Sequence, residues 1–177
     1  MKDCISTFLL GCILASITSI ACDIFTPSFP SMAIFFDTSA DQIQLSMSIM
    51  MAGCAFSQLI YGPISEGIGR KKALLIGLSL SIIGSSMCCI AKNLYTLNTG
   101  ILIMGIGVGC GSLYRCIFSD CYSGKQLSER GAYAALMYSI MIPCAPLLGG
   151  YLEENFYWQA NFIFLLASFI CCTIQVL

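Results

Sequence analysis

Apolar segments of similar length follow one another along the chain, and charged residues separate them. Six stretches without Asp, Glu, Lys or Arg are each close to the ~20 residues that an α-helix needs to cross a membrane, and about twice the length of a tilted spanning strand. A further uncharged stretch, 24–36, contains Pro27 and Pro30 and is too short to span. The pattern predicts six transmembrane helices, at roughly 4–25, 42–64, 73–92, 95–117, 131–152 and 157–177.

Composition supports the same class. Of the 177 residues, 58% are apolar and 10% are charged, and the mean hydropathy is +0.87, whereas about 25% of residues in soluble domains are charged. High hydrophobicity excludes disorder. A net charge of −1 with eight Lys and Arg argues against nucleic-acid binding. We therefore predict an all-α integral membrane protein, a six-helix bundle.

The side chains offer no enzyme chemistry. The sequence contains no His, which removes the usual general base and the commonest metal ligand. Its twelve Cys lie mostly inside the apolar segments, without a C-x-x-C pair, where Cys behaves as a small hydrophobic residue. We expect no enzyme activity, no metal site and no cofactor.

The distribution of Lys and Arg predicts the orientation. Basic residues cluster at the amino terminus and in the second and fourth connections, whereas the other side carries Lys92 alone. Basic connections stay in the cytoplasm, so we expect a multi-pass protein of the inner or plasma membrane with both termini cytoplasmic. Residues 1–22 could also be a signal peptide, but no polar region precedes a cleavage point and five spans follow, which favours an uncleaved helix. The cytoplasmic basic residues are Lys2, Arg70, Lys71, Lys72, Lys125 and Arg130.

Asp23 is the acidic residue near the interior of the first predicted helix. At helical spacing, Ser16, Ser19, Asp23 and Thr26 share one face, as expected for a helix that lines an aqueous cavity. A partly desolvated carboxylate there could exchange a proton or pair with a cationic substrate. In the alternative interpretation, Asp23 is a solvated helix end at the outer interface.

The second connection combines glycines, one acid and a basic cluster. Glycines suit a tight turn, and the acid and bases could pair across helix ends and hold a cytoplasmic gate closed. Any short cytoplasmic loop also carries Lys and Arg for topology alone, but the order of residues here is more specific than topology requires. The candidate gate residues in this connection are Gly62, Glu66, Gly69, Arg70 and Lys71.

Two further helices carry unusual residues. Helix four contains four alternating glycines over 105–111, which predict close packing against neighbouring helices. It ends near Arg115 and Asp120, and Arg115 either snorkels to the cytoplasmic interface or pairs with Glu66 or Asp120 in the gate. In helix five, prolines and glycines predict a kink that is either a moving part or static. The kink residues are Pro143, Pro146, Gly149 and Gly150.

Four stretches give the chain a family resemblance. Residues 23–30, 58–71, 115–122 and 145–150 resemble motifs in the amino-terminal six-helix half of major facilitator superfamily transporters, most closely drug:proton antiporters of the Bcr/CflA (bicyclomycin and chloramphenicol resistance) type. The resemblance implies half of such a fold, built of two three-helix repeats. It also implies efflux of drug-like or small organic compounds by alternating access, coupled to a proton gradient.

The chain departs from the family pattern at three positions. Gly67 follows Glu66 where the loop signature has a basic residue, and Gln159 follows Trp158 where an arginine is common. The start of helix four, at 98–102, has no arginine of the kind that is tied to proton coupling. These departures imply a weaker gating network and weaker coupling.

Length adds a second hypothesis. In the resembled family two halves enclose the substrate site, whereas this sequence reaches Leu177 at the end of the sixth helix. We expect a truncated or half-length chain that would pair with a separately encoded second half or form a homodimer. The competing hypothesis is a non-transporting membrane protein, either a remnant or the partner subunit of a split transporter.

Overall fold

In the computed structural model, which describes residues 4–177 and side chains from residue 8, helices follow one another with short connections. No strand occurs among the described residues, so the all-α prediction is confirmed. The position of Lys2 lies outside the described residues. Six helical spans are long and apolar enough to cross a membrane, as predicted: Phe8–Phe35, Ala40–Ile68, Arg70–Cys89, Leu94–Cys121, Gly124–Asn155 and Gln159–Val176.

Two of these spans are composite, which gives eight α-helices in all within the described residues. The first span comprises α1, a 3₁₀ turn at Thr26–Ser28, and α2; the fourth comprises α5, a 3₁₀ turn at Gly109–Ser112, and α6. The helices are α1 (Cys4–Asp23), α2 (Phe29–Phe35), α3 (Ala40–Ile68), α4 (Arg70–Cys89), α5 (Leu94–Val108), α6 (Leu113–Cys121), α7 (Gly124–Asn155) and α8 (Gln159–Val176).

The first span extends beyond its expected end at 25, through the stretch 24–36 that is too short to span the membrane by itself. Helix α1 ends at Asp23, and two short helical segments then continue to Phe35. Pro27 and Pro30 each lie in the first turn of one of these segments, where the missing backbone N–H needs no partner. The prolines therefore redirect the span without ending it.

The charge-free stretches place some helix ends too far inward. Helix α7 begins at Gly124, seven residues before the expected start at 131, because charged residues are good helix formers and Lys125 and Glu129 pair one turn apart, at 3.9 Å. Helix α5 begins where the Asn93 side chain accepts a 2.7 Å hydrogen bond from the backbone N–H of Thr96, a typical N-cap.

The fourth span is the centre of the bundle and the fifth lies at its edge. In the most apolar window of each, 67% of residues are buried in the fourth span and 11% in the fifth. Helix α5 packs against α3 and α4, α4 packs against α8, and α1 packs against α6 and α7. The four glycines expected to form a packing surface do so, because a Cβ at each would overlap or closely approach a neighbouring helix.

Aromatic residues and one buried hydrogen bond join the first and sixth spans. The Trp158 ring lies 5.3 Å from Phe35 and 5.4 Å from Phe36, measured between ring centroids. Nearby, the buried Asn161 side-chain amide donates a 2.8 Å hydrogen bond to the Ser28 hydroxyl. These contacts fix α2 and the 3₁₀ turn against α8, and so fix the position of Asp23 just before them.

The two ends of the bundle differ in charge. One end, called here the basic end, carries Arg70, Lys71, Lys72, Lys125 and Arg130, and the opposite or acidic end carries Asp37, Asp41, Glu153 and Glu154. Lys71 Nζ donates a 2.7 Å hydrogen bond to the carbonyl of Leu177, so the end of α8 lies at the basic end.

Candidate functional site

Asp23 is the last residue of α1 and lies inside the first span rather than at its end. Its side chain is half-buried, and the span continues beyond it to Phe35. Tyr138 of α7 is close enough to interact electrostatically with Asp23. A carboxylate within a membrane span is energetically costly, and such residues usually have a function. The position of Asp23 therefore favours the cavity interpretation over that of a solvated helix end.

The polar face predicted on the first helix is divided in the structure. Ser19 is buried and donates a 3.2 Å hydrogen bond to the carbonyl of Tyr138, so it joins α1 to α7. Ser16 bonds within its own helix, to the carbonyl of Cys12 at 2.9 Å. Thr26 is exposed at the start of the 3₁₀ turn. Helix α1 ends at Asp23, so helical spacing no longer places Thr26 on the same face as Ser16 and Ser19.

A polar cavity of about 200 Å³ opens between the first, second, fourth and fifth spans. Its wall includes the 3₁₀ turn of the fourth span, where Gly111 is so close to α1 that a Cβ would overlap the Thr18 side chain. A 3₁₀ turn within a helix alters the direction of the side chains that follow it, here Tyr114 and Arg115. The lining residues are Ala15, Thr18, Gln58, Gly111, Ser112, Tyr114, Arg115 and Tyr138.

Arg115 lines this cavity, and its side chain is exposed, as snorkelling would require, and forms no ion pair with the acidic gate candidates. Its Nε donates a 3.2 Å hydrogen bond to the Tyr114 hydroxyl, and its guanidinium lies 5.7 Å from the centroid of that ring. Within residues 4–177, the only ion pairs are Arg70 with Asp120 and Lys125 with Glu129. The structure therefore does not bring Arg115 to Glu66 or Asp120.

The gate candidates meet at the basic end through Arg70. Arg70 Nε is 3.1 Å from Asp120 Oδ2, which ties the start of α4 to the last turn of α6. Arg70 also donates a hydrogen bond to the Ser65 hydroxyl, which in turn donates to the Gly62 carbonyl at 2.8 Å. Gly69 connects α3 to α4 with φ +92°, a backbone conformation that residues with a Cβ atom rarely adopt.

The remaining gate candidates, Glu66 and Lys71, form fewer contacts between helices at the basic end. Glu66 is exposed and forms no ion pair in the described part of the chain, although its charge acts on Arg70. Lys71 contacts the Leu177 carbonyl. Of the predicted gate set, the structure joins Arg70 and Asp120 directly.

Helix five is continuous through both of its prolines. Helix α7 runs unbroken from Gly124 to Asn155 with Pro143 and Pro146 inside it. Gly149 lies against the first span, because a Cβ there would overlap the Ile24 carbonyl. Gly150 has more space, since a Cβ added there would lie 3.9 Å from Pro27 Cβ. The Pro-Gly segment therefore lies beside the residue that follows Asp23.

Several cavity residues were not among the sequence candidates. Thr18, Gln58, Tyr114 and Tyr138 all line the cavity, and each is a polar residue inside a predicted span. Their polarity within apolar segments was the feature of the sequence that could have identified them as cavity residues. Which of these residues face one another depends on the 3₁₀ turn in the fourth span and on helix packing, neither of which follows from spacing along the chain.

Comparison with known proteins agrees with this architecture. The chain is 34% identical over 144 residues to the MFS-type transporter YdgK of Bacillus subtilis, covering 81% of this chain and 36% of that protein. It is 29% identical over 165 residues to multidrug resistance protein D of Escherichia coli, covering 92% and 41%. It is 28% identical over 162 residues to a bicyclomycin resistance protein homolog of Haemophilus influenzae, covering 89% and 40%.

The matched region accounts for only part of each relative, since the chain spans 36–41% of their lengths. The family model described as Major Facilitator Superfamily matches residues 11–177, which include all six spans in whole or in part. Together with the six-helix fold, this match shows that the chain belongs to the Major Facilitator Superfamily.

Proposed function

We propose that this chain forms the amino-terminal half of a transporter that exports drug-like or small organic compounds by alternating access. In this proposal residues 1–177 are a single six-helix half-domain, and Asp23 exchanges a proton or pairs with the substrate. The observation that carries the proposal is a half-buried carboxylate at a helix break within a span, which interacts electrostatically with Tyr138, a lining residue of the polar cavity between four spans.

The names of the relatives support this class of substrate. Multidrug resistance and bicyclomycin resistance appear in the names of proteins that match most of this chain. We extend that activity to this chain as a membrane transporter without enzyme activity, metal or bound cofactor, driven by a proton gradient through Asp23.

The proposed topology follows from charge. We place the basic end in the cytoplasm, with both termini there, in the inner or plasma membrane. The Arg70–Asp120 pair then lies on the cytoplasmic side, where it would stabilise one closed state of the gate. Pro143, Pro146, Gly149 and Gly150 would let the fifth span move against the first.

A second six-helix half, either another polypeptide segment or a second copy, would complete the cavity. Exposed apolar side chains on the second and fifth spans, among them Phe56, Leu59 and Leu147, are available for such contact or for lipid. The alternative function is that of a membrane protein without transport activity. Its distinguishing result is the absence of transport even when a second half is present.

Substitution of Asp23 tests the proposed function. Asp23→Asn removes the charge but keeps the size of the side chain, and we expect ethidium efflux driven by a pH gradient to fall to that of vesicles without protein. Efflux is measured by fluorescence in proteoliposomes containing the chain, with and without a co-expressed second half.

The control is Asp37→Asn, which removes an acid from the connection between the first two spans. Asp37 is exposed and has φ +48°, a backbone conformation that Asn also tolerates, so efflux should be unchanged. Unaltered efflux and unaltered pH dependence in Asp23→Asn would remove Asp23 from the mechanism. Absence of efflux in every preparation would favour the non-transporting alternative.

A further inference from the structure

Arg115 is an exposed cation of the fourth span that lines the cavity and forms no ion pair among the described residues. The fourth span ends at Cys121, so the Arg115 backbone is about 9 Å from that end at 1.5 Å per residue. Within residues 4–177 no Asp or Glu forms an ion pair with it, and its polar neighbours are the phenols of Tyr114 and Tyr138. A cation that lines a cavity in a span without an acidic partner is a candidate binding group.

The cavity beside Arg115 offers hydrogen-bond donors and no carboxylate. Arg115 uses Nε to contact the Tyr114 hydroxyl, which leaves the two terminal nitrogens of the guanidinium and the Tyr114 proton available to a ligand. Tyr138 and the side-chain amide of Gln58 also line the cavity. An oxyanion accepts hydrogen bonds from all of these groups, and Arg favours a planar, bidentate carboxylate.

Asp23 lies outside the cavity lining but interacts electrostatically with Tyr138, which lines the cavity. Thr18 lines the cavity and precedes Asp23 on α1 by about 7.5 Å along the axis at 1.5 Å per residue. Tyr138 interacts electrostatically with both Asp23 and Arg115. A ligand whose anionic group is at Arg115 therefore has its neutral or cationic part near Asp23, because a second anion there would be repelled.

We propose that the cavity binds the carboxylate group of an amphipathic organic compound, with Arg115 as its ion-pair partner and Tyr114, Tyr138 and Gln58 as additional donors. This assigns Arg115 to substrate recognition and not to the gate, and it names a substrate class for the site of the proposed function, on which it rests. At about 200 Å³ the cavity suits a small aryl-alkyl carboxylate.

A matched pair of probes tests this proposal by binding alone. Radiolabelled 4-phenylbutyrate and its uncharged amide, 4-phenylbutyramide, are compared by equilibrium dialysis against the full chain in lipid nanodiscs. We expect tighter binding of the carboxylate. Arg115→Gln should weaken carboxylate binding by about 10-fold to 100-fold, the range for losing a hydrogen bond to a charged group, and should leave amide binding unchanged.

Two other variants test whether a general loss of positive charge, or a change in the fold, explains the weaker carboxylate binding. Lys125→Gln removes a cation whose side chain is 90% exposed outside the cavity, and it should change neither affinity. Arg115→Lys keeps the charge but loses the planar fork, so carboxylate binding should be intermediate between the native protein and Arg115→Gln. Unchanged amide affinity shows that each variant remains folded.

Equal affinity of the native protein for the two probes, including no binding of either at millimolar concentration, would overturn the proposal without any variant. An equal loss of affinity for both probes in Arg115→Gln would also overturn the proposal, because it would assign Arg115 a structural role. Because the measurement requires no transport, a chain that binds the carboxylate selectively but exports nothing would contradict the proposed function and leave this inference intact.

Discussion

At the scale of single residues, small side chains decide which helices touch. Gly105 and Gly109 both face α3, since a Cβ at Gly105 would lie 2.7 Å from the Met50 carbonyl and one at Gly109 would overlap the Ser57 hydroxyl. Gly107 instead faces Ser81 of α4, and Gly111 faces Thr18 of α1. One short segment of alternating glycines therefore brings three helices close to the fourth span.

Gly105→Ala should destabilise the protein, because the opposing atom is a backbone carbonyl that cannot rotate away. We expect a cost of about 1–3 kcal/mol, the usual range for overpacking, measured as a lower midpoint of thermal unfolding in detergent. The control is Gly131→Ala in α7, where no atom of the described residues lies within 4 Å of the added Cβ and stability should stay equal or rise. A Gly105→Ala midpoint as high as that of Gly131→Ala would contradict the packing argument.

The sequence singles out the charged residues of the candidate site but does not show which side chains they contact. Asp23, Arg70 and Asp120 were predictable because ionised side chains are rare in an apolar chain. The sequence does not decide between snorkelling and the gate for Arg115, since its direction depends on the 3₁₀ turn at Gly109–Ser112. Likewise, Ser19 matched the expected face but is buried against Tyr138, because that face also packs on α7.

At the scale of elements, all six spans were predictable and their interruptions were not. Charge-free segments near 20 residues long locate spans because a charge in hydrocarbon is costly. They do not show that Pro27 and Pro30 start new helical segments, nor that α7 passes unbroken through Pro143 and Pro146. Both outcomes depend on whether neighbouring helices satisfy the backbone around each proline.

The connection between α3 and α4 gives a prediction about element boundaries. Gly69 has φ +92° and ψ +146°, a region that is essentially restricted to glycine, so Gly69→Ala should cost about 1–3 kcal/mol. Gly67, two residues earlier, is helical and has nothing within 4 Å of an added Cβ; Gly67→Ala should therefore gain about 0.5–1 kcal/mol.

Thermal unfolding of the two variants under identical conditions measures this difference. Because Gly69 precedes Arg70, the first variant should also weaken the Arg70–Asp120 pair and make the α3–α4 connection more sensitive to proteolysis. Equal stability of the two variants would show that the positive φ is not required for the turn.

At the scale of the whole molecule, the basic residues separate along the axis of the bundle: in the described part of the chain, all but Lys92 lie at or towards the basic end, where Glu66, Asp120 and Glu129 also lie. The Arg70–Asp120 pair joins the second and fourth connections, and the Lys71 contact brings the end of α8 to the same face. At the acidic end, the aromatic contacts of Trp158 with Phe35 and Phe36 join the end of the first span to the start of α8. Asp23 lies between these ends, half-buried within the first span, whereas Arg115 is exposed and on the same helix as Asp120.

This separation predicts the orientation, because basic connections remain in the cytoplasm. Green fluorescent protein fused after Leu177 should fluoresce, whereas alkaline phosphatase at the same position should be inactive. An epitope inserted after Lys92, in the connection before α5, should bind antibody on spheroplasts without permeabilisation, and one inserted between α6 and α7 should require it. The reverse pattern would place Arg70 and Asp120 outside the cell, and their pairing could then not close a cytoplasmic gate.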